Sequence, residues 1–420
     1  MIAPRTVVQI TLLSAAAALV GCASAPAGRE ADETLLKDPL LSQARVTHEV
    51  VPEAFITALT PSDKLDSPAS WMSPDGRRWV IATAKGTHAL VVFDGDSGKR
   101  LRVVGGKGKA LGKLDRPNGI SVVDDLVFVV ERDNRRVQVF TLPDLTPVKA
   151  FGQSELREPY GLWVRKHDGG YEVVVSDNYM SSANKDLPPP LADLGQRFRR
   201  YQLNSAGQGW QARLTQSFGD TSEAGAVRIA ESVFGDEANA RLMIAEEDVA
   251  VGTQLREYGM DGRYRGRNVG AGLFKAQAEG ISLFACSDGS GYWIATDQFK
   301  DRSVFQVFDR KTLAHVGAFA GRVTANTDGV AAGSLCTHER SRIGCRPYCR
   351  AQYAGAGGFS PLRCRRLPGP HRRHPDAGRR HRVCGGVAHR CQPSRGPGWN
   401  WWSLAIRRMW VRLDAFGPAR

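Results

Sequence analysis

Between about residues 60 and 330 the sequence repeats a set of short apolar strands every 40–50 residues, which predicts an all-β fold, a six-bladed β-propeller. Three recurring motifs carry the prediction. Pro117-Asn-Gly-Ile-Ser-Val-Val123 returns as Pro159-Tyr-Gly-Leu-Trp-Val164 and as Glu279-Gly-Ile-Ser-Leu-Phe284. An inner-strand motif recurs as Ala89-Leu-Val-Val-Phe-Asp94, Val137-Gln-Val-Phe140 and Val304-Phe-Gln-Val-Phe-Asp309. A closing motif appears as Lys149-Ala-Phe-Gly152, Gln216-Ser-Phe-Gly219 and Gly317-Ala-Phe-Ala320. About 270 residues at this period, with about four strands per unit, give six blades. A two-sheet sandwich would not need the repeat.

In chain order, residues 1–22 read as an export signal. Arg5 supplies the positive start, and the apolar run Val7 to Val20 is too short to span a bilayer stably. Leu19-Val20-Gly21-Cys22 resembles the bacterial lipobox, in which the Cys is acylated; a plain secretory signal is the alternative. Ala23 follows the Cys, so the resemblance implies an outer-membrane lipoprotein. Residues 23–58 read as a tether and 59–330 as the propeller.

Past residue 330 the composition shifts. Residues 331–420 hold 18 Arg, no Lys and three acids, a balance of +15, whereas the rest of the chain carries 39 basic and 40 acidic residues. Six of the eight Cys lie in this tail, and the propeller keeps only Cys286, which argues against a disulfide framework. A nucleic-acid-binding arm would mix Lys with Arg and is out of place behind an export signal. The spacing of Cys336, Cys345, Cys349, Cys364, Cys384 and Cys391 repeats no zinc-ligand pattern. Arg, Pro, Gly, Cys, His and Trp without Lys or periodicity is what a GC-rich gene yields when translated out of frame. The expectation is an incomplete last blade, with the chain from about 333 onward disordered.

Arg241-Leu-Met-Ile-Ala-Glu-Glu-Asp-Val249 runs from aliphatic residues straight into three carboxylates. It reads as a buried strand with concentrated negative charge at its mouth. A hard divalent cation would relieve the mutual repulsion of such charges, and a solvated strand-end turn is the plainer alternative.

From Asp66 to Gly329 the residues resemble the β-propeller phytases, calcium-dependent phosphatases of inositol hexakisphosphate. Asp66-Ser-Pro-Ala-Ser-Trp71, Thr83-Ala-Lys85, Arg116-Pro-Asn118 and Glu131-Arg132 follow the family pattern in order. Glu158-Pro-Tyr-Gly161, Ala245-Glu-Glu-Asp248, Glu279-Gly280, Gln298 and Thr327-Asp-Gly329 continue it. The resemblance implies calcium ligands at Asp66, Glu246, Glu247, Glu279, Gln298 and Asp328. It implies substrate contacts at Lys85, Arg132 and Tyr160, and a catalytic set of Glu279, Glu246, Lys85 and Arg132. The implied activity is phytate hydrolysis by metal-activated water at the top of the propeller, without a covalent nucleophile.

The chain departs from the family pattern at several places. Ser67 stands for a second Asp, Gln277 for an acid and Asn178 for a Lys, and Arg228 stands near where a Glu-Gly pair is usual. A non-catalytic, envelope-anchored binding or scaffold module is therefore the rival reading. A metal-dependent sugar lactonase is a third, opposed by the Ala-Glu-Glu-Asp and Glu-Pro-Tyr-Gly motifs. Partners are expected to be phytate or another phosphorylated small molecule and the outer membrane, with no nucleic acid, for a monomer.

Acylation at Cys22 leads to a direct prediction. Cys22→Ser should release the mature chain from membranes, because the cleaved signal leaves no other hold. Recovery of the variant in the membrane pellet would refute the lipobox reading.

Overall fold

Runs such as Leu126-Val-Phe-Val-Val-Glu131 are β-branched and aromatic, and every residue of this one is buried, as a strand packed on both faces requires. Outer strands read differently: Gly209–Phe218 alternates between exposed and half-buried residues along most of its length. The computed structural model describes residues 39–53, 55–207, 209–286, 288–337, 348–355 and 358–361. In it the repeats fold as four-stranded antiparallel sheets spanning residues 65–105, 117–151, 159–218, 230–269 and 278–320, here blades 1 to 5. A sixth sheet has three strands, Val330–Thr337, Tyr348–Gly355 and Gly358–Pro361. The arrangement is the expected propeller, and its last blade is the smallest among the described residues.

Blades stack face to face, and the core lies between them. Trp71, Ile81 and Leu90 of blade 1 meet Val127, Val129 and Phe140 of blade 2. Phe128, Val130 and Val139 on the other face of blade 2 meet Leu162, Val173 and Tyr201 of blade 3. Each fully buried Val, Leu or Phe contributes about 1.5–3 kcal/mol, so blade 2 is held by both neighbours.

Around the axis the backbones touch. A Cβ on Gly161 would lie 2.5 Å from the carbonyl oxygen of Glu231, and one on Gly280 would lie 2.4 Å from that of Asp328. The Gly280 N–H donates to that same Asp328 carbonyl at 2.7 Å. A Cβ on Gly329 would come within 2.7 Å of Ser67 Cα, so the ring closes from blade 6 back to blade 1.

A strap reinforces the closure. Glu49–Val50 pairs in parallel with His315–Ala320 as a fifth strand of blade 5. The Glu53 carboxylate accepts the N–H groups of Arg322, Val323 and Thr324, and the Phe55 ring covers Gly98 of blade 1. Residues 39–53 and 55–58, assigned to a tether on sequence, are thus folded onto the propeller. The signal segment with Cys22, and most of the Arg-rich tail, lie outside the described residues.

Gly161→Ala should destabilise the protein by about 1–3 kcal/mol, because the added methyl meets backbone that cannot rotate away. Chemical denaturation checks this, and a midpoint matching the wild type would show that the axial contact is loose.

Candidate active site

One local irregularity builds the site. In each of blades 1 to 5 the inner strand starts in register with the end of the second strand, then carries a bulge. The bulged pairs are Asp66-Ser67, Asn118-Gly119, Tyr160-Gly161, Glu231-Ser232 and Glu279-Gly280. A bulge sets two residues against one and re-aims a side chain. Asp328-Gly329 takes the equivalent place at the entry to blade 6. These positions form an inner ring: Asp66, Asn118, Tyr160, Glu231, Glu279 and Asp328.

An outer ring follows from one backbone hydrogen bond made five times. The N–H groups of Lys85, Arg132, Asn178, Glu247 and Gln298 donate to the carbonyls of Lys64, Arg116, Glu158, Ile229 and Gln277, each two residues before its blade's inner-ring residue, at 2.8–3.1 Å. The two rings place side chains remote in sequence at one mouth.

The charges divide. On the side of blades 4 and 5, Glu231, Glu247 and Glu279 are buried and offer oxygens that all lie within 4.8 Å of one another. Burial pushes the Glu231 carboxyl well above its ordinary range, and Glu279 and Glu247 add to the effect. Glu279 is raised in the same way by burial and by Asp328, and it shares a hydrogen bond with Glu231. Burial pushes Asp328 up to about 6, against the pull of Lys85. Gln277 Nε2 donates to Glu247 Oε1 at 2.6 Å, and Gln298 Nε2 donates to Asp328 Oδ1 at 2.6 Å.

On the side of blades 1 and 2 the mouth is cationic. Lys85 Nζ lies 2.8 Å from Asp66 Oδ2, 3.3 Å from Asp328 Oδ2 and 3.5 Å from the Tyr160 hydroxyl. Burial alone would depress the Lys85 ammonium, but Asp66, Tyr160 and Asp328 hold it well above its ordinary value. Burial lowers the Arg116 pKa, and the neighbouring Arg132 lowers it further while Tyr160 opposes the shift. Arg116, Arg132 and Tyr160 are therefore close together.

Of the residues expected from sequence, Glu247 and Glu279 lie in the acidic cluster. Asp66, Asp328, Gln298, Lys85, Arg132 and Tyr160 occupy ring positions around it. Glu246 faces elsewhere. Its carboxylate accepts the N–H groups of Arg228 at 2.8 Å and Ile229 at 3.0 Å, and lies 3.5 Å from Arg256. Asp177 and Asp297 hold equivalent backbone amides in blades 3 and 5, so Glu246 belongs to a repeated cap of the inner strand.

The expected departure at Arg228 is corrected. The residue at the Glu-Gly position is three places on, Glu231-Ser232, because the inner strand of blade 4 begins at Ala230. The signal for it is the parallel between Ala230-Glu-Ser-Val233 and Ala278-Glu-Gly-Ile281, obscured by Ser in place of Gly. Lys300 also escaped the sequence reading, although its charge acts on both Glu279 and Asp328.

Comparison with known proteins bears on this half of the mouth. No curated protein matches the chain. Among solved structures the chain is similar to regucalcin, a calcium-binding protein from Agrobacterium tumefaciens str. C58, with a TM-score of 0.42 and 12% identity over 71% of this chain and 90% of that one. It is also similar to virginiamycin B lyase from Staphylococcus aureus, with a TM-score of 0.41 and 11% identity over 73% of this chain and 98% of that one. Residues 196–334 match the family model Phytase. The matched stretch contains Glu231, Glu247, Glu279, Gln298 and Asp328, so the resemblance to the phytase family holds across the acidic half of the mouth.

Proposed function

We propose that this mouth hydrolyses phosphomonoesters of a polyphosphorylated polyol of the phytate type, with calcium held by Glu231, Glu247 and Glu279. The observation that supports it best is a buried acidic triad facing a cationic half-ring across one opening. The donor set fits a hard cation. It is all oxygen, it is buried, and the repulsion among its members is what an added positive charge would relieve. A bound divalent cation supplies Lewis-acid polarisation of phosphoryl oxygens and acidifies water.

The remaining roles belong to side chains of the two rings. Lys85 and Arg132 pair with the non-bridging oxygens of a phosphate. Asp66 keeps Lys85 charged and directed into the mouth. Gln277 fixes the orientation of Glu247, and Gln298 that of Asp328. A fixed set of donors around a partly dry opening stabilises developing charge more than solvent does. In this reading the protein works outside the cytoplasm as a monomer, held to the outer membrane through acylated Cys22; the support is the short apolar run ending in Leu-Val-Gly-Cys.

The raised carboxyls set a pH dependence for the metal-free protein. A carboxyl whose folded pKa is raised contributes stability that is full below its unfolded pKa and is lost as pH rises through the folded value. Asp328, pushed to about 6, makes the melting temperature in chelator fall as pH is raised from about 4 through 6. Glu231 and Glu279 act in the same sense. Calcium, binding only the native state, should reverse the fall. Melting curves across that range that ignore both pH and calcium would remove the site.

Turnover has its own test. Phosphate release from phytate should require added calcium, stop with a chelator and fall by about 100-fold or more in Glu231→Gln. Release that survives both treatments would dispose of the reading. Calcium binding without any phosphate release would favour a binding module.

A further inference from the structure

Asn118 is the inner-ring residue of blade 2, and the ring reading assigns it no role. It is fully buried, and neither its Nδ2 nor its Oδ1 has a hydrogen-bond partner among the described residues. Burying an amide without a partner is costly, and native proteins rarely leave one so. The ring equivalence places Asn118 between Asp66 and Tyr160, and the following glycine packs on the Tyr160 carbonyl, to which a Cβ would come within 2.7 Å. Asp66, its acidic neighbour in the ring, is paired with Lys85 at 2.8 Å. Arg116 lies two residues before Asn118, the Arg132 N–H donates to the Arg116 carbonyl at 3.1 Å, and Lys85 reaches the Tyr160 hydroxyl at 3.5 Å.

We infer that Asn118 is a substrate-contacting specificity residue whose amide pairs with a phosphate group of the bound ligand. This rests on the phosphate-ester reading above. The charges around it favour an anion over a cation. An amide both donates and accepts, so it also recognises a protonated phosphate oxygen, whereas Lys85 and Arg132 only donate. Among the described residues nothing takes either of its polar atoms.

The test uses Asn118→Leu and Asn118→Asp in the full chain. Removing a buried polar group that has no protein partner is neutral or stabilising, so the metal-free melting temperature of Asn118→Leu should equal or exceed that of the wild type. Inorganic phosphate, used as a competitive inhibitor with calcium present, should bind about 10-fold more weakly. The KM for phytate should rise by a similar factor, with a smaller change in kcat. Calcium affinity should not move. Asn118→Asp should weaken phosphate further by repulsion.

A lower melting temperature or misfolding of Asn118→Leu would show a structural hydrogen bond and overturn the inference. So would unchanged phosphate inhibition in Asn118→Leu, or in Asn118→Ser as the milder replacement. Tighter calcium binding by Asn118→Asp would make the residue a cation ligand and overturn it as well. A wild type that binds calcium but neither phosphate nor phytate would instead remove the phosphate-ester reading on which the inference rests.

Discussion

Like charges buried together are the constraint on which this molecule turns. Asp66, Glu231, Glu247, Glu279 and Asp328 are drawn to one end of one axis, and only Asp328 keeps any notable exposure. In water carboxylates at such spacing repel weakly; with most of the solvent removed they repel strongly, and Glu231, Glu279 and Asp328 resist ionisation. The fold answers with a cation on one side, Lys85 against Asp66 and Asp328. On the other, burial pushes the Glu231 and Glu279 carboxyls well above their ordinary range. Apolar groups of similar volume in place of buried charges are often neutral or stabilising, so stability alone does not account for this cluster.

Glu246 and Glu247 show how finely the strand divides these tasks. They are adjacent, and alternate residues of a strand face opposite ways. One carboxylate is held by three backbone amides and an arginine; the other takes a hydrogen bond from Gln277 and joins the triad. Capping acids recur in blades 2 to 5, at Glu131, Asp177, Glu246 and Asp297, which fixes where each inner strand starts. Because the start is fixed, the bulge that begins at the next residue is fixed too, and with it the aim of the ring residue. Acids of one type therefore serve as scaffold in one place and as candidate ligands a single residue away.

The same division explains what could be read from the sequence. The propeller was legible because its period is imposed by inter-blade packing, and packing residues such as Val127, Val129 and Phe140 recur with little ambiguity. Glu279 and Asp328 were legible because each stands before a glycine that the axial contact requires. Glu231 was not, since Ser232 hides the motif and the stretch before it offers Arg228 as a false match. Facing could not be settled for Glu246 without the register of its strand against the next. Lys300 carries no motif at all; only the turn that follows blade 5's second strand brings its charge to the acids.

Closure and the mouth's charges depend on each other. Gly329 makes the contact with Ser67 that returns the ring to blade 1, while its neighbour Asp328 takes part in the acidic mouth. The Lys85 ammonium is shared between Asp66 on one side of that seam and Asp328 on the other. Residues Val330 to Thr337 begin the sixth sheet immediately afterwards, where the composition turns Arg-rich. A shift of that strand would move Asp328, alter the field on Lys85 and Glu279, and loosen the seam together. The strap through Glu49–Val50, Glu53 and Phe55 ties blade 5 to blade 1 by contacts that do not use the sixth sheet. It holds the two sides of the seam in register, and so the distance across which Asp66, Lys85 and Asp328 interact is set from both ends of the propeller sequence.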